Sequence, residues 1–427
     1  MGSRLTEYTP YRKERGEFFC RACNDSNLSS ILDLGKLPLA NDLSYDKQGK
    51  YVTKYPLNLM LCQNCGLGQI ADLVTPNKLF KDYRYLSSMS STFLKHASDF
   101  VSEVIEREVF SDQDWVLEIA SNDGYLLRNF QRKGIEVLGI EPAENVASIS
   151  NKFGIHTISE FFTKELAENI FLKYGYPKLI IANNVLAHVP DLVNFLEGLR
   201  TLCGPDTKIS IENPSLVNIL LGMQFDTVYH EHYSYLSATA MKTICGLNDL
   251  NLYKIEKIST HGGSNRYWLA RSKSMSKDDP SVEKIISEER LIGILDLKKW
   301  EDYSHKIRII LNDFDQLLKT KKSEGGRVYG YGAAAKASTI LNSINLEENL
   351  IQKIADSSLE KQGRYLYPCN NPIISPSQLV LESPTDIIIF PWNIKDEIIK
   401  SLMPKLDSKV KFWCIVPEVS EVTFATE

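Results

Sequence analysis

The run Tyr229-His-Glu-His-Tyr-Ser-Tyr235 packs two histidines, a glutamate and three tyrosines into one short stretch. Such groups are costly to bury unless they pair, so plain core is a poor account of them. An imidazole titrates near neutral pH, and a flanking carboxylate or phenol can set its tautomer, which suits proton transfer. A metal site fits less well. On a helix His230 and His232 do not share a face, and on a strand Glu231 points away from both. Metal chemistry belongs instead to two Cys-x2-Cys knuckles, Cys20/Cys23 and Cys62/Cys65. A two-residue spacer lets both thiolates of a knuckle face one ion, and four thiolates close a tetrahedral zinc site with no position for water, which makes it structural. The long segment between the knuckles must fold back as a small β module. Cys203, Cys245, Cys369 and Cys414 are isolated and read as ordinary buried thiols.

These groups need a scaffold that delivers side chains to one edge. Val116 to Ile119 is an apolar run long enough for a buried parallel strand and too short for a helix. The small-residue turn from Ala120 to Gly124 follows, then an apolar-periodic helix, then a second strand ending in Glu141 about twenty residues on. That is the layout of a nucleoside site: small residues admit the ligand to the backbone, and the carboxylate accepts both ribose hydroxyls. Ala120 stands where a pyrophosphate-binding turn would place its first glycine, which favours S-adenosylmethionine over a dinucleotide. Further strands are expected over 179–182, ending in Asn183, Asn184 and His188, and over 208–214, ending in Glu212 and Asn213. Polar groups gathered at one edge of alternating strands and helices indicate a doubly wound sheet. The turn from His261 to Arg266 suits a phosphate or sugar and equally a hairpin. Leu79 to Ser91, with Tyr83, Tyr85 and Ser88, suits a polar pocket or a helix-capping loop. His96, in the helix after it, is expected at the surface or in packing.

From Pro280 to Lys322 the pattern is charged and helix-periodic, which predicts one or two long helices packing on both neighbours. Arg327 then opens a second strand-turn-helix. Gly330, Gly332 and Ala335 hold the small positions of a Rossmann-type fingerprint, and Lys336 with the helix amides would form an anion site. Asp356 ends the next strand, and segments 385–393 and 411–417 supply two more. The net charge of −5 leaves no basic excess for nucleic acid. No apolar run approaches the roughly 18 residues of a membrane span, and the polar, charged amino terminus is expected to carry no export signal. The expected setting is the reducing cytoplasm.

The order of motifs from Cys20 to about Glu418 is specific. The two knuckles flank Asp33-Leu-Gly-Lys-Leu-Pro38, and Glu118-Ile-Ala-Ser-Asn-Asp-Gly124, Gly139-Ile-Glu-Pro142, His188-Val-Pro190 and Tyr229-His-Glu-His232 follow. His261-Gly-Gly263, Gly330-Tyr-Gly-Ala333 and Pro391-Trp-Asn393 complete the series. This chain resembles the nucleotide-sugar C-methyltransferases, most closely the 3-C-methyltransferases of TDP-4-keto-deoxysugars of the tetronitrose and mycarose type. The resemblance implies an α/β fold with four parts: a zinc-binding β module (1–80), a central Rossmann-like S-adenosylmethionine methyltransferase domain (81–275), a helical linker (276–324) and a carboxyl-terminal Rossmann-like nucleotide-sugar-binding domain (325–427). It implies S-adenosylmethionine at Glu118, Ala120, Asn122, Asp123, Glu141 and Asn184, although Ala120 departs from the glycine often found there. His232 is then the base, with Tyr83, His188, Tyr229 and Glu231 around the sugar, and His188 or a phenol sharing the enolate's charge. Tyr85, Ser88, His261, Arg266, Tyr331, Gly332, Lys336, Asp356, Trp392 and Asn393 are expected at the substrate. The substrate is a keto-deoxysugar on TDP, with GDP or CDP as alternatives, and the expected protein is a monomer. Two other readings compete: an NAD-dependent oxidoreductase or epimerase built on Gly330 to Ala335 with Asp356 at the ribose, and a non-catalytic nucleotide-sugar-binding protein.

Overall fold

The computed structural model describes residues 8–10, 12, 13, 17–46, 52–80, 86–272, 279–344 and 346–422. Each knuckle is a tight turn closed by a residue in the left-handed region, Asn24 (φ 58°) after Cys23 and Gly66 (φ 78°) after Cys65. Asparagine and glycine are the residues that enter this region at least cost. Their amides return to the carbonyls of Cys20 and Cys62, each at 2.9 Å. The second knuckle ends the strand Lys54–Cys62, which pairs antiparallel with Leu28–Pro38 on one side and Gly68–Ile70 on the other. The sheet is completed from far along the chain, because Ser234–Tyr235 adds as its fourth strand against Gly68–Ile70.

The central sheet has the order Thr157–Ile158, Glu136–Ile140, Trp115–Ile119, Leu179–Asn183, Lys208–Pro214, Ser264–Arg271, Leu250–Ile258. The first five strands are parallel and read as near-continuous apolar runs, as strands covered on both faces must. Chain order reverses between Trp115–Ile119 and Leu179–Asn183, which opens a crevice at their carboxyl ends. The last two strands form an antiparallel hairpin. The glycine-rich turn at 262–263 closes it, so the hairpin reading holds there. At Gly263 (φ 110°) a Cβ would lie 2.1 Å from Asn218 Nδ2, so no side chain fits.

The helix-periodic stretch forms two helices, Ser281–Ile292 and Leu297–Ser323. Trp300, Tyr303, Ile307, Ile310, Phe314 and Leu318 make a buried stripe at three- and four-residue spacing along the second. That stripe shares one apolar core with Leu32 and Leu59 of the amino-terminal sheet, Phe225 and Tyr233 of the histidine-rich stretch, and Val328 and Ile388 of the carboxyl-terminal sheet. The latter has the order Tyr365–Leu366, Asn371–Ile374, Ile354–Ala355, Val328–Tyr331, Asp386–Ile389, Lys411–Cys414, Ser420–Glu421, with its five inner strands parallel. Among the described residues no helix is long and apolar enough to cross a membrane.

Glu289 ties the first linker helix to the central unit. Its buried carboxylate caps helix Ala238–Leu247, accepting from the amides of Ala238 (2.7 Å) and Thr239 (2.8 Å). Glu289→Ala strands these donors and is expected to destabilise the protein by about 2 kcal/mol, read as a lower denaturation midpoint. An unchanged midpoint would show that water replaces the cap.

Candidate active site

Three carboxylates converge where the crevice opens. Glu118 ends the first core strand, Asp123 lies in the turn after it and Glu141 follows the second strand; all three are buried. Glu141 closes the turn by accepting the amides of Asn122 (3.0 Å) and Ala143 (2.9 Å). Burial pushes its carboxyl up to about 7 against those two hydrogen bonds. Burial, with Asp123 and Glu141 adding to it, pushes Glu118 well above the ordinary carboxylate range. Glu118 Oε2, Asp123 Oδ1 and Ser121 Oγ have no hydrogen-bond partner among the described residues. Among the described residues the cation paired with this cluster is Arg128, at 3.7 Å from Asp123. Such a cluster is short of positive charge and of donors, and S-adenosylmethionine brings both: a sulfonium, an ammonium and ribose hydroxyls. The residues therefore fit that cofactor. Ala120 (φ 54°), Asn122 (φ 49°) and Asn184 (φ 55°) all take the left-handed conformation. For Ala120 this costs about 1–2 kcal/mol, so the departure from glycine carries strain. Asn122 Oδ1 also accepts the Ser87 amide at 2.9 Å, which brings the segment holding Ser88 over the cofactor turn. Tyr83 and Tyr85 lie outside the described residues.

The histidine-rich stretch is neither helix nor long strand but a turn whose groups are pinned one by one. His232 Nδ1 lies 2.8 Å from the Thr227 carbonyl, which can only accept, so Nδ1 carries the proton and Nε2 is the basic atom. Nε2 lies 3.0 Å from the Tyr229 hydroxyl, and the two ring centroids are 4.1 Å apart, tilted by 32°. The His188 ring is 4.8 Å from that of His232. Its Nδ1 donates to the Glu231 carbonyl at 2.7 Å, and burial drives its pKa down to about 4 against that bond. Neutral His188 thus offers an acceptor at Nε2. Of the pair expected to share an enolate's charge, His188 or a phenol, His188 has its N–H committed to the Glu231 carbonyl. Glu231 receives the Asn41 amide on both oxygens, at 2.7 and 2.8 Å. Burial raises its carboxyl to about 7, opposed by Asn41 and the charge of Lys361. His230 faces away, donating from Nε2 to the carbonyls of Tyr55 and Pro56, both at 3.2 Å, so its role is to pin the turn to the amino-terminal sheet.

Several expected substrate residues are committed elsewhere. Arg266 pairs with Glu212 at 3.0 Å and lies over Phe100, buried in the hairpin. His96, expected at the surface or in packing, instead meets Glu212 at 2.9 Å. Burial alone would raise Glu212, but His96, Arg266 and Thr260 hold its carboxyl below the ordinary value. Lys336, expected on an anion, reaches Asp226 (3.4 Å) and lies over Trp392, whose Nε1 donates to Asp226 at 2.8 Å. Asp356 caps its own turn at the Ser358 amide (2.8 Å) and meets Lys361 at 3.4 Å. Tyr331 bonds Ser357 at 3.2 Å, and Asn393 is exposed. His261 lies in the short turn Thr260–Gly262, and its side chain is outside the description. The fingerprint glycines meet protein rather than an open cradle: a Cβ on Gly332 (φ 89°) would sit 2.4 Å from Pro391, and one on Gly330 would sit 2.8 Å from Phe390. That packing removes the motif's argument for a dinucleotide.

Asn41, Asp226 and Lys361 escaped the sequence reading, since each is a single polar residue with no spacing signal. Asn213 is a fourth. It lines a small cavity beside His232 with Thr227 and Ser234, takes the Ala187 amide on Oδ1 (3.3 Å), and has no partner for Nδ2 among the described residues.

The four knuckle sulfurs lie within 4.8 Å of one another, with Cys20–Cys65 at 3.5 Å and Cys23–Cys62 at 3.6 Å. Tetrahedral zinc with bonds of about 2.3 Å needs sulfurs roughly 3.8 Å apart, so the donor set fits the ion.

Fold and site together define a zinc-bearing methyltransferase that uses S-adenosylmethionine. Family models match in order along the chain: a zinc binding domain over 20–80, a methyltransferase domain over 93–255 and a C-methyltransferase C-terminal domain over 259–417. C-methyltransferase NovU of Streptomyces niveus is 31% identical over 400 residues, spanning 93% of this chain and 95% of its own length. The chain belongs to the C-methyltransferase family. Among solved structures, magnesium protoporphyrin IX methyltransferase of Synechocystis PCC 6803 with bound S-adenosylmethionine shares 14% identity over 46% of this chain and 89% of its own, with a TM-score of 0.33. A SAM-dependent methyltransferase from Archaeoglobus fulgidus shares 18% over 39% and 73%, also at 0.33.

A cationic ligand lowers the pKa of carboxylates it touches, so S-adenosylmethionine should release protons as it binds near pH 7 and bind more tightly as pH rises through the Glu141 value of about 7. In the ligand-free protein Glu141 holds its proton to higher pH folded than unfolded, so its contribution to stability falls as pH rises from 4.5 to about 7. His188, lowered to about 4, works the opposite way below 6.5. Calorimetry in two buffers of different ionisation enthalpy measures the proton count directly. Zero release, unchanged in Glu141→Gln, would contradict the crowded-carboxylate account.

Proposed function

We propose that this enzyme methylates C3 of a nucleotide-linked 4-keto-6-deoxysugar through an enolate, with His232 as the base. The observation that carries this reading is the Thr227 carbonyl on His232 Nδ1, which fixes Nε2 as the basic atom beside the Tyr229 hydroxyl. The ketone at C4 acidifies the hydrogen at C3. His232 Nε2 takes that proton, and the C–H electron pair moves into the enolate with charge on the C4 oxygen. Tyr229, released from Nε2, donates its hydroxyl to that oxygen. Glu231, poised near pH 7 and gripped by Asn41, orients a sugar hydroxyl. S-adenosylmethionine supplies an electrophilic methyl on a sulfonium, and C3 takes it as the thioether leaves. Zinc stays remote from the reacting carbon. Unit boundaries at 80, 275 and 324 and a nucleotide carried by the carboxyl-terminal unit belong to the same reading, with TDP the first base to test.

Incubating TDP-4-keto-6-deoxyglucose with the protein in heavy water, with and without S-adenosylmethionine, tests it by mass spectrometry. Gain of one methyl mass and deuterium uptake at C3 are expected, and His232→Ala should lower both by roughly a hundredfold or more. Uptake without methyl gain points to an epimerase. Neither signal across TDP and GDP sugars would overturn the reading.

A further inference from the structure

Arg21 lies inside the first knuckle, between the ligands Cys20 and Cys23, yet it is 4% exposed and its guanidinium points away from the thiolates. Nη1 donates to the Ile70 carbonyl at 3.0 Å, and Nη2 donates to Ser234 Oγ at 2.9 Å and to the Tyr233 carbonyl. The Arg21 amide is held in turn by Gln69 Oε1 at 2.9 Å, while Gln69 Nε2 reaches the Phe19 carbonyl at 3.0 Å. One rigid planar fork thus spans two neighbouring strands, and one of its acceptors is the carbonyl of Tyr233, the residue directly after His232.

The strand it grips needs that support. Ser234–Tyr235 is two residues long, shorter than any ladder that holds itself in water. The loop before it closes on its own end: the Tyr229 amide donates to the Tyr235 hydroxyl at 3.3 Å, and that hydroxyl donates to the Thr227 carbonyl at 3.4 Å. The Thr227 carbonyl is also the acceptor that sets the His232 tautomer. A shift of Tyr235 therefore reaches Thr227 and Tyr229, both of which hold the His232 ring. Four thiolates around one ion would fix the backbone that carries Arg21, since both neighbours of the Arg21–Ala22 pair belong to the donor set.

We propose that Arg21 is a positioning residue through which the geometry of the zinc knuckle sets the placement of the His232 imidazole. The metal then acts on catalysis by holding the base in place, with no charge delivered to the reacting carbon. This rests on the reading of His232 as the base, and the test separates the two.

Arg21→Lys keeps the charge but loses the fork, and Ser234→Ala removes one acceptor without touching the knuckle. Each variant is compared with the wild type for zinc stoichiometry, S-adenosylhomocysteine affinity, kcat and KM on TDP-4-keto-6-deoxyglucose, and the Nδ1–H resonance of His232. The last is observed in protein labelled with 15N-histidine and assigned by its loss in His232→Gln. With zinc and S-adenosylhomocysteine binding retained, the Nδ1–H resonance should shift or broaden in both variants. In Arg21→Lys kcat should fall roughly ten- to a hundredfold at nearly constant KM, the scale of a base displaced by a fraction of an ångström to one ångström. A smaller fall is expected in Ser234→Ala. Zinc-replete variants with a wild-type resonance and wild-type kcat overturn the proposal. If Arg21→Lys fails to fold, Ser234→Ala decides alone by the same resonance. If the wild type turns over no sugar, the substrate reading fails while the resonance still decides the role of Arg21.

Discussion

The buried polar groups between Asp226 and Tyr235 must be paired, and most of their partners come from outside the sheet that flanks them in sequence. Asp226 is fully buried and holds Lys336 and Trp392 of the carboxyl-terminal unit. His230 donates to Tyr55 and Pro56, Glu231 accepts from Asn41, and the Tyr233 hydroxyl donates to the Val74 carbonyl at 2.6 Å, all within the first eighty residues. An unpaired buried donor or acceptor costs about 1–3 kcal/mol, so this loop has no stable conformation without those neighbours. The imidazole it presents is therefore a product of three chain segments far apart in sequence.

Charge follows a similar logic at the cofactor turn. Glu118, Asp123 and Glu141 are brought together by the ends of two parallel strands, and the protein offers them little compensation. The penalty is held until a cation arrives. The two sites are built differently, the first from strand ends that any doubly wound sheet provides and the second from a loop clamped by added modules.

Much of the first site was legible in the sequence, because it depends on local order: an apolar strand, a small-residue turn and an acidic residue at the next strand's end. The knuckles were legible for the same reason, since two-residue spacing encodes thiolate geometry. The short motif from Tyr229 to His232 is legible as a cluster of titratable groups, but the tautomer of His232 is not, because a backbone carbonyl sets it. Lys336 and Arg266 show the opposite case. Their neighbourhoods suggested anion binding, yet each cation is drawn to a buried carboxylate, Asp226 or Glu212, that no periodicity reveals. Asn41 and Arg21 were invisible because their partners are about two hundred residues away, and the fourth strand of the zinc-bearing sheet is two residues long.

The central claim is that the loop carrying His232 is held from outside its own sheet. Hydrogen exchange read by mass spectrometry tests it on peptides covering 225–236, before and after zinc is extracted with a chelator. Loss of protection in those peptides, with strands 115–119 and 179–183 still protected, is the result the account predicts. Unchanged protection of 225–236 in the zinc-free protein would contradict it.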